Sequence, residues 1–384
     1  MERQPEIDWL RGLMLVVMTM THLPTWFGSH VGQPFGYVSA AEGFVFLSAL
    51  LVGRVYSHKA RTYGMAAMRR ALLGRALKVY AAHVALLLSL LLVFVPIAVS
   101  REAHAITDLA SYYLQRPHLA LASGLVLAYN PPLLDILPMY VVFLVASPAI
   151  LAFGLRRGFG VLLTVSAVVW LAAQYDGGRH VYRAIAALTG WPVPYGATGA
   201  FSFTAWQFLW LIGLWAGAHG VSQPTPARPG ARARVGVVIA GTIALGFFVA
   251  RHVFGQVPFA HDPSLAALFD KWHLGPLRLL NFAVLAILLS HVRPALVAWA
   301  RRSSIATLGR ASLAVFSMHV LVCLGLLTLV GGAARPDLRA GDVALLLGTL
   351  ALLYLTARAS LGGARILRDS RRTRAARLSA RAAR

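Results

Sequence analysis

The sequence predicts an all-α membrane protein, a polytopic bundle of about ten transmembrane helices with the N- and C-termini in the cytoplasm. Three observations predict this fold class. The chain of 384 residues is 58% hydrophobic and only 13% charged, with a mean hydropathy of +0.67, whereas about 25% charged residues is usual for soluble domains. Its apolar residues gather in windows long enough to cross about 30 Å of hydrocarbon. Its basic residues are dense in every second segment between those windows.

The apolar windows and the basic residues together predict the topology. The windows lie at roughly residues 9–27, 40–57, 76–99, 132–154, 159–174, 203–220, 235–253, 275–292, 305–330 and 341–358. If the first one starts in the cytoplasm, 27 of the 36 Lys and Arg residues fall in cytoplasmic segments and 9 fall outside. Only this orientation satisfies the positive-inside rule. We therefore expect one transmembrane domain over residues 1–363 and a basic cytoplasmic tail over 364–384 that lies on anionic lipid.

The composition excludes several classes of function. The net charge of +23 does not indicate nucleic-acid binding, because the basic residues lie between apolar runs and not among aromatics on a soluble face. The single cysteine, Cys323, excludes an intrachain disulfide. No two of the thirteen histidines show the H-x-x-x-H or H-E-x-x-H spacing. We therefore expect no metal site, no bound cofactor and no nucleic-acid partner.

The stretch from Asp8 to Pro24 places ionisable groups in an apolar helix. At 100° per residue, Arg11 and His22 project from the same side, roughly 16 Å apart along the axis, and Asp8 joins that side. A charge at the bilayer centre costs at least about 2.5 kcal/mol, so this side should face a protein interior or a wet cavity. Pro24 lacks an N–H and should kink or end the helix just beyond His22. The alternative is that Asp8 and Arg11 are interfacial anchors and that His22 only packs.

The second window begins with a carboxylate that has two possible roles. Ser39 and Glu42 have the S-x-x-E spacing of a capping box, in which each side chain bonds the backbone N–H of the other residue. This helix should start on the outer side, near the depth that His22 reaches. Glu42 is therefore also a candidate to orient the His22 imidazole or to pair with its charge.

Basic residues stand at the start of the third window. Arg75 and Lys78 lie at its cytoplasmic entrance, where such cations satisfy the positive-inside rule or cradle the phosphates of an acyl-CoA. His83 and His319 fall inside predicted spans. Taken singly, such histidines are more often hydrogen-bonding partners between helices than catalysts.

The predicted outer segments contain acidic residues and histidines as well as basic residues. Two outside loops, at about 100–131 and 175–202, are long for mere connections and contain aromatic residues, Pro and Gly, which favours a binding or lid role. Histidine-centred acid/base or acyl-transfer chemistry inside the bilayer then explains the ionisable residues. A transporter or flippase with a buried polar substrate path explains them equally well, although the sequence shows no internal repeat.

The ordered set of polar and aromatic motifs resembles a known family. Arg11, ten residues and His22 match the R-x10-H motif of the integral-membrane acyltransferase type 3 superfamily, and the chain is most similar to its OpgC branch. The shared segments are Ile7–Leu13, His22–Pro24, Ser39–Ser48, Arg75 with Tyr80–His83, Asn130–Tyr140, Phe203–Phe208, Lys271–Asn281 and Gly309–Phe316. The chain departs from the family pattern at Thr21, where Asp is usual, and at Ala49, where Gly is usual. The Thr21 departure removes a carboxylate beside His22, so that Glu42 or Asp8 has to replace it.

The resemblance implies an O-acyltransferase, an enzyme that transfers acyl groups other than amino-acyl groups, in the bacterial inner membrane. The branch is associated with succinylation of osmoregulated periplasmic glucans. The expected donor is therefore a cytoplasmic acyl-CoA, succinyl-CoA or acetyl-CoA, and the expected acceptor is a periplasmic glucan or related polysaccharide. The expected polar cavity lies among the first four, the eighth and the ninth spans.

The resemblance also implies roles for individual residues. His22 abstracts the proton of the acceptor hydroxyl or transiently carries the acyl group, and Glu42 with Asp8 sets its orientation. Arg11, Arg75 and Lys78 hold the phosphates of the donor or the acyl carboxylate. The candidates for the outer, glucan-facing half are Asp135, Tyr140, Arg278 and Asn281, and His83 and His319 complete the expected substrate-binding set.

Overall fold

The computed structural model describes residues 4–220, 231–292, 299–300, 303–330 and 338–382, and this part of the chain is helical, without a β-strand. In chain order the helices are α1 Pro5–His22, α2 Trp26–His30, α3 Ala40–Ser89, α4 Val95–Ser100, α5 His104–Leu109, α6 Ser111–Gln115, α7 Pro117–Leu125, α8 Ile136–Arg157, α9 Gly160–Ala173, α10 Gly177–Thr189, α11 Phe203–Ala218, α12 Ala231–Phe254, α13 Pro263–Ala267, α14 Pro276–His291, α15 Ile305–Arg310, α16 Ser312–Val330 and α17 Ala340–Ala382. A π-helical turn, Leu90–Phe94, joins α3 to α4, and a 3₁₀ turn, Tyr195–Ala197, precedes α11.

The protein is a multi-pass membrane protein. Among the described residues, five helices are long and apolar enough to cross a membrane, and a sixth crossing results if α9 and α10, which meet at 83°, form one broken span. Each of the ten predicted windows overlaps a helix, but ten crossings are not confirmed. Helices α11 and α14 have only 16 residues each, and α1 carries Glu6, Asp8 and Arg11 in its 18 residues.

The second and third predicted windows share one helical segment. Residues Ala40–Ser100 form 61 consecutive helical residues, which is roughly 90 Å of helix and about three times the thickness of the hydrocarbon core. The backbone breaks at Gly64, whose φ of +83° and ψ of 166° are not helical. Glycine alone adopts such angles readily, because it has no Cβ.

The orientation in the membrane stays a prediction. Of the basic residues on which it depends, Arg3, Arg228, Arg293, Arg301, Arg302, Arg335 and Arg384 lie outside the described residues. Helix α17 continues without interruption from the predicted last span into the basic tail as far as Ala382.

Local sequence signals set both ends of the loop between α1 and α3. Helix α1 ends at His22, as Pro24 predicts, because the backbone becomes extended at Leu23 (φ −69°, ψ 140°). Helix α3 begins at the predicted capping box: the Ser39 hydroxyl accepts from the Ala41 N–H, and Glu42 accepts from the Ser39 N–H at 3.0 Å. Both predictions are therefore confirmed, and they bring His22 and Glu42 to the same end of the bundle.

Helix α1 packs backbone to backbone on α15. A Cβ atom added at Gly12 would overlap the carbonyl oxygen of Ile305, and one added at Gly309 would overlap the carbonyl oxygen of Asp8. Small residues permit such close approach of helices in membranes. This contact aligns the polar side of α1 with the start of α16, so that side faces protein, as predicted.

Candidate active site

A cavity of about 1080 Å³ lies at the end of the bundle where α1 stops. Its walls come from the end of α1, the loop before α3, the start of α8, the bend between α9 and α10, and the loop that precedes α14. Its polar lining residues are Thr21, His22, Gln33, Ser39, Asp135, Gln174, Asp176, Gln256, Asp270, Lys271, His273 and Arg278, and its aromatic ones are Tyr175, Phe201, Phe269, Trp272 and Phe316. The predicted topology puts this cavity on the outer side.

His22 forms a pair with His319 at the cavity wall. The Nδ1 atom of His22 lies 3.0 Å from Nε2 of His319, and the two rings lie edge to edge with centroids 5.3 Å apart and 20° between their planes. His319 is 1% exposed, whereas His22 lines the cavity. The pair joins the last residue of α1 to the middle of α16.

The hydrogen bonds assign the tautomers of this pair. The Nδ1 atom of His319 lies 2.9 Å from the carbonyl oxygen of Phe316, which only accepts, so Nδ1 of His319 carries the proton. With both rings neutral, Nε2 of His319 then has a lone pair and accepts from the Nδ1–H of His22. The Nε2 atom of His22 is therefore left with its lone pair, as a general base requires.

The orienting partner of His22 differs from the predicted one. We expected Glu42 with Asp8 in this role, and the structure places His319 there. Asp8 lies fourteen residues before His22 on the same helix, which is roughly 21 Å along its axis. Thr21, the residue before His22, donates its hydroxyl to the carbonyl of Met18 at 2.9 Å.

Glu42 belongs to a buried network that holds the loop before α3. One of its carboxylate oxygens lies 3.1 Å from Nη1 of Arg278, and the other accepts from the Ser39 hydroxyl at 2.6 Å. Arg278 also donates to the carbonyl oxygens of Tyr37 and Phe269. Glu42 and Arg278 are 0% and 1% exposed, so their charges compensate each other inside the protein.

The network also corrects the expected roles of Arg278 and Asn281 in binding the glucan. The Asn281 side-chain oxygen accepts from the Tyr37 N–H at 2.7 Å, and Asn281 is fully buried behind the cavity wall. Arg278 borders the cavity, but the hydrogen bonds of its guanidinium described above all go to protein. Asn281 therefore lies behind the wall, and Arg278 borders the cavity as a part of the wall that protein groups hold in place.

Arg11 is separated from the cavity. Its Nη2 atom lies 2.5 Å from the Ser312 hydroxyl and its Nη1 atom 3.5 Å from the Gly309 carbonyl, and its guanidinium lies 5.7 Å from the centre of the Phe44 ring. The rise along α1 puts it roughly 16 Å from His22. Arg11 and His22 therefore share one side of α1 at the predicted separation, and the expected role of Arg11 toward the donor stays a prediction.

Two further expected substrate-binding residues serve packing. The Tyr140 hydroxyl donates to the Phe44 carbonyl at 2.9 Å, between α8 and α3. The Nε2 atom of His83 lies 3.3 Å from the Gly124 carbonyl, at the end of α7, and His83 is fully buried. Neither residue lines the cavity.

The remaining expected residues divide between the two ends of the bundle. Asp135 lines the cavity, where its carboxylate accepts from the Ala200 N–H at 3.2 Å. Arg75 and Lys78 are exposed on α3, beyond Gly64 and outside the cavity lining. Of the predicted site residues, the cavity thus contains His22, Asp135 and Arg278, and His319 lies directly behind His22.

The segment Asp270–His273 forms part of the site, although sequence analysis assigned it no role. The carboxylate of Asp270 lies 2.7 Å from Nδ1 of His273, and Asp176 lies 3.9 Å from its Nε2. The hydrogen bond with Asp270 raises the pKa of His273. Burial opposes ionisation of Asp270, yet the hydrogen bonds from His273 hold its pKa below the ordinary value. A cluster of charged residues around Trp272, directly before a Gly-Pro helix start, is the signal that could have found this segment.

Comparison with known proteins identifies the family. The family model described as OpgC protein matches residues 3–361. No curated protein and no solved structure matches the chain. The family match spans the whole bundle, including α1, the cavity walls and α16, and the chain therefore belongs to the OpgC family.

Proposed function

We propose that the protein is an integral-membrane O-acyltransferase of the bacterial inner membrane, which transfers a succinyl group from CoA to a hydroxyl of a periplasmic glucan or related polysaccharide. Membership of the OpgC family supports the reaction class. The observation that carries the mechanism is the His22–His319 pair at the wall of a polar cavity.

The reaction needs one base and no bound cofactor. Nε2 of His22 takes the proton of the acceptor hydroxyl while the hydroxyl oxygen attacks the thioester carbon of the acyl-CoA. A C–O bond forms, the C–S bond breaks, and the proton that His22 holds passes to the leaving CoA thiolate. His319 keeps the proton of His22 on Nδ1 throughout, so that Nε2 stays available. A direct transfer of this kind returns His22 to its starting tautomer.

The cavity lining supports a sugar acceptor. A sugar ring presents C–H faces and hydroxyl groups, and the cavity offers aromatic rings, at Tyr175 and Trp272, next to the carboxylates of Asp135 and Asp176. Carboxylates accept hydrogen bonds from hydroxyls, and a few polar groups in a largely apolar wall fix the orientation of a ligand. These residues replace Tyr140, Arg278 and Asn281 as the proposed acceptor-binding set.

The donor enters from the opposite end. Arg75 and Lys78 are exposed on α3 on the predicted cytoplasmic side, where they are free to bind the phosphates of CoA. Arg11, with Ser312 and Phe44 around it, lies between that end and the cavity, where the extended pantetheine arm would have to pass. The donor and the acceptor then meet at His22.

The test uses purified protein in detergent with succinyl-CoA that is labelled in the succinyl group. We expect label in the glucan fraction, with the mass increment of one succinyl group per substituent, and none with the His22→Ala protein. A transporter or flippase gives no such product in detergent, because it needs a sealed membrane. Transport of intact substrate into vesicles, without any acylated glucan, would therefore favour the transporter and reject the acyltransferase.

A further inference from the structure

Neighbouring segments hold the turn that carries Lys271 by donating hydrogen bonds to its backbone carbonyl groups. The Trp272 carbonyl accepts from the Ser202 N–H at 3.0 Å and from Nε1 of Trp206 at 3.1 Å. The His273 carbonyl accepts from Gln174 at 2.8 Å, and the Leu274 carbonyl accepts from Nε1 of Trp170 at 3.0 Å. Side chains of α9, of Gln174 just after it and of α11, together with the backbone just before α11, thus hold the turn in place, which is how a binding group is preorganised.

The ammonium group of Lys271 is not used by this scaffold. It lies 4.6 Å from the centre of the Trp272 ring and 5.8 Å from that of Phe201. Among the described residues it has no hydrogen bond and no ion pair within 4.0 Å. Burial lowers the pKa of Lys271 below the ordinary value of a lysine, although the carboxylates of Glu42 and Asp135, beyond contact distance, act against that shift. An anion directly beside the ammonium group would oppose it further.

Two other basic groups of the cavity, besides His22, are already paired with carboxylates. Arg278 lies against Glu42 at 3.1 Å, and His273 lies against Asp270 at 2.7 Å. Lys271 is therefore the cation of the described lining that has no anion in contact, and it lines the same cavity as His22. A preorganised, partly buried ammonium group in the same cavity as His22 can bind an anionic group of a substrate.

We propose that Lys271 determines the acyl specificity: its ammonium group binds the free carboxylate of a dicarboxylic acyl group while the thioester carbonyl of that group lies at His22. This inference rests on the proposed function. The phosphates of the donor belong to the predicted cytoplasmic end and a neutral glucan brings no charge, so the acyl carboxylate is the anion that must reach this cavity. The aromatic rings beside the ammonium group stabilise it between turnovers.

The test compares two donors of equal chain length, succinyl-CoA and butyryl-CoA, which differ in the terminal carboxylate. Both are labelled in the acyl group so that slow transfer is measurable, and the acceptor is the glucan fraction. Lys271→Met should lower kcat/KM for succinyl-CoA roughly 10- to 100-fold, the range of one charge-assisted hydrogen bond. Transfer from butyryl-CoA should stay the same or rise. Lys271→Arg should restore part of the preference for succinyl-CoA.

Lys59→Met is the matched control, because Lys59 lies on α3 outside the cavity lining. It should leave both rates unchanged, and unfolding temperatures in detergent should show that all variants fold. Equal losses with both donors would mean that Lys271 stabilises the reacting carbonyl or the fold, and would overturn the proposal. So would an unchanged ratio of the two rates, while the acyltransferase activity itself stands. If the wild-type protein transfers neither acyl group, the proposed function fails and this inference fails with it.

Discussion

His22 and His319 share a hydrogen bond of 3.0 Å that joins the end of α1 to the middle of α16. The carbonyl of Phe316 fixes the proton of His319, and His319 in turn fixes the proton of His22. A carboxylate beside a catalytic histidine does the same by holding its Nδ1–H. The pair therefore orients the His22 imidazole although its chain neighbour, Thr21, is not a carboxylate.

The first prediction is that His22→Ala lowers acyl transfer by about 10²- to 10⁴-fold, the usual effect of losing a positioned acid or base. His83→Ala is the matched control, since His83 is a buried histidine that hydrogen-bonds α7 and does not line the cavity. Label transfer from acyl-CoA in detergent measures both variants. A His22→Ala protein that keeps more than about a tenth of the wild-type rate would return His22 to a packing role.

The second prediction separates orientation from packing at His319. His319→Ala removes the acceptor of the His22 Nδ1–H and should lower kcat by about 10- to 100-fold, as the loss of a group that orients a functional imidazole does. His319→Gln keeps an oxygen acceptor and should recover part of that loss with a similar unfolding temperature. A purely structural role predicts that activity follows the unfolding temperature in both variants, so parallel changes in the two quantities would contradict the orienting role of His319.

How far the sequence predicts this site depends on the distance between partners along the chain. The helical stripe of Arg11 and His22, the end of α1 before Pro24 and the capping box at Ser39 are local patterns, and the structure confirms all three. His22 and His319 are 297 residues apart. Helical periodicity carries no information about which helices pack together. The sequence therefore predicts Glu42 as the partner of His22 only because both are expected at a similar depth in the membrane.

The lack of information about helix packing also explains why the sequence assigns glucan-facing roles to residues that hydrogen-bond other parts of the protein. Arg278, Asn281 and Tyr140 are polar residues in apolar helices, and such residues indicate a functional site or a buried network equally well. Contacts decide between the two, and here they lead to Glu42, Tyr37 and Phe44. The converse holds for Lys271: it belongs to a segment shared with the family, yet the sequence predicts no role for it, because it lies in a loop, where a lysine is unremarkable until the cavity is known.

The third prediction concerns the Glu42–Arg278 pair, which holds the loop before α3. Removing one member of a buried ion pair leaves the other charge uncompensated and costs about 3–5 kcal/mol. Glu42→Gln and Arg278→Met should each lower the unfolding temperature in detergent strongly, and the double variant should lower it by less than the sum. Additive effects would show that the two charges do not compensate each other. Any loss of activity should follow the loss of folded protein, which distinguishes Glu42 from His22.

The last prediction concerns the contact between Asp270 and His273 at the cavity rim. The pKa of His273 is raised above its ordinary value of 6.5, so the stabilisation that this residue contributes is complete below pH 6.5 and is lost as the pH rises through its folded pKa. The pKa of Asp270 is lowered below 3.8, so its contribution is present above pH 3.8 and is lost as the pH falls through its folded pKa. Both groups are therefore charged between these two values, where the contact is strongest.

His273→Gln should accordingly lower the unfolding temperature most between pH 3.8 and 6.5, and the difference from wild type should shrink as the pH rises further. Asp270→Asn should show the same dependence, because it removes the other half of the contact. His252→Gln, at an exposed histidine of α12, serves as the control and should give no such profile. If the effect of His273→Gln on the unfolding temperature is instead constant with pH, the His273 ring stabilises the protein by packing and neutral hydrogen bonding, and its charge does not contribute to stability.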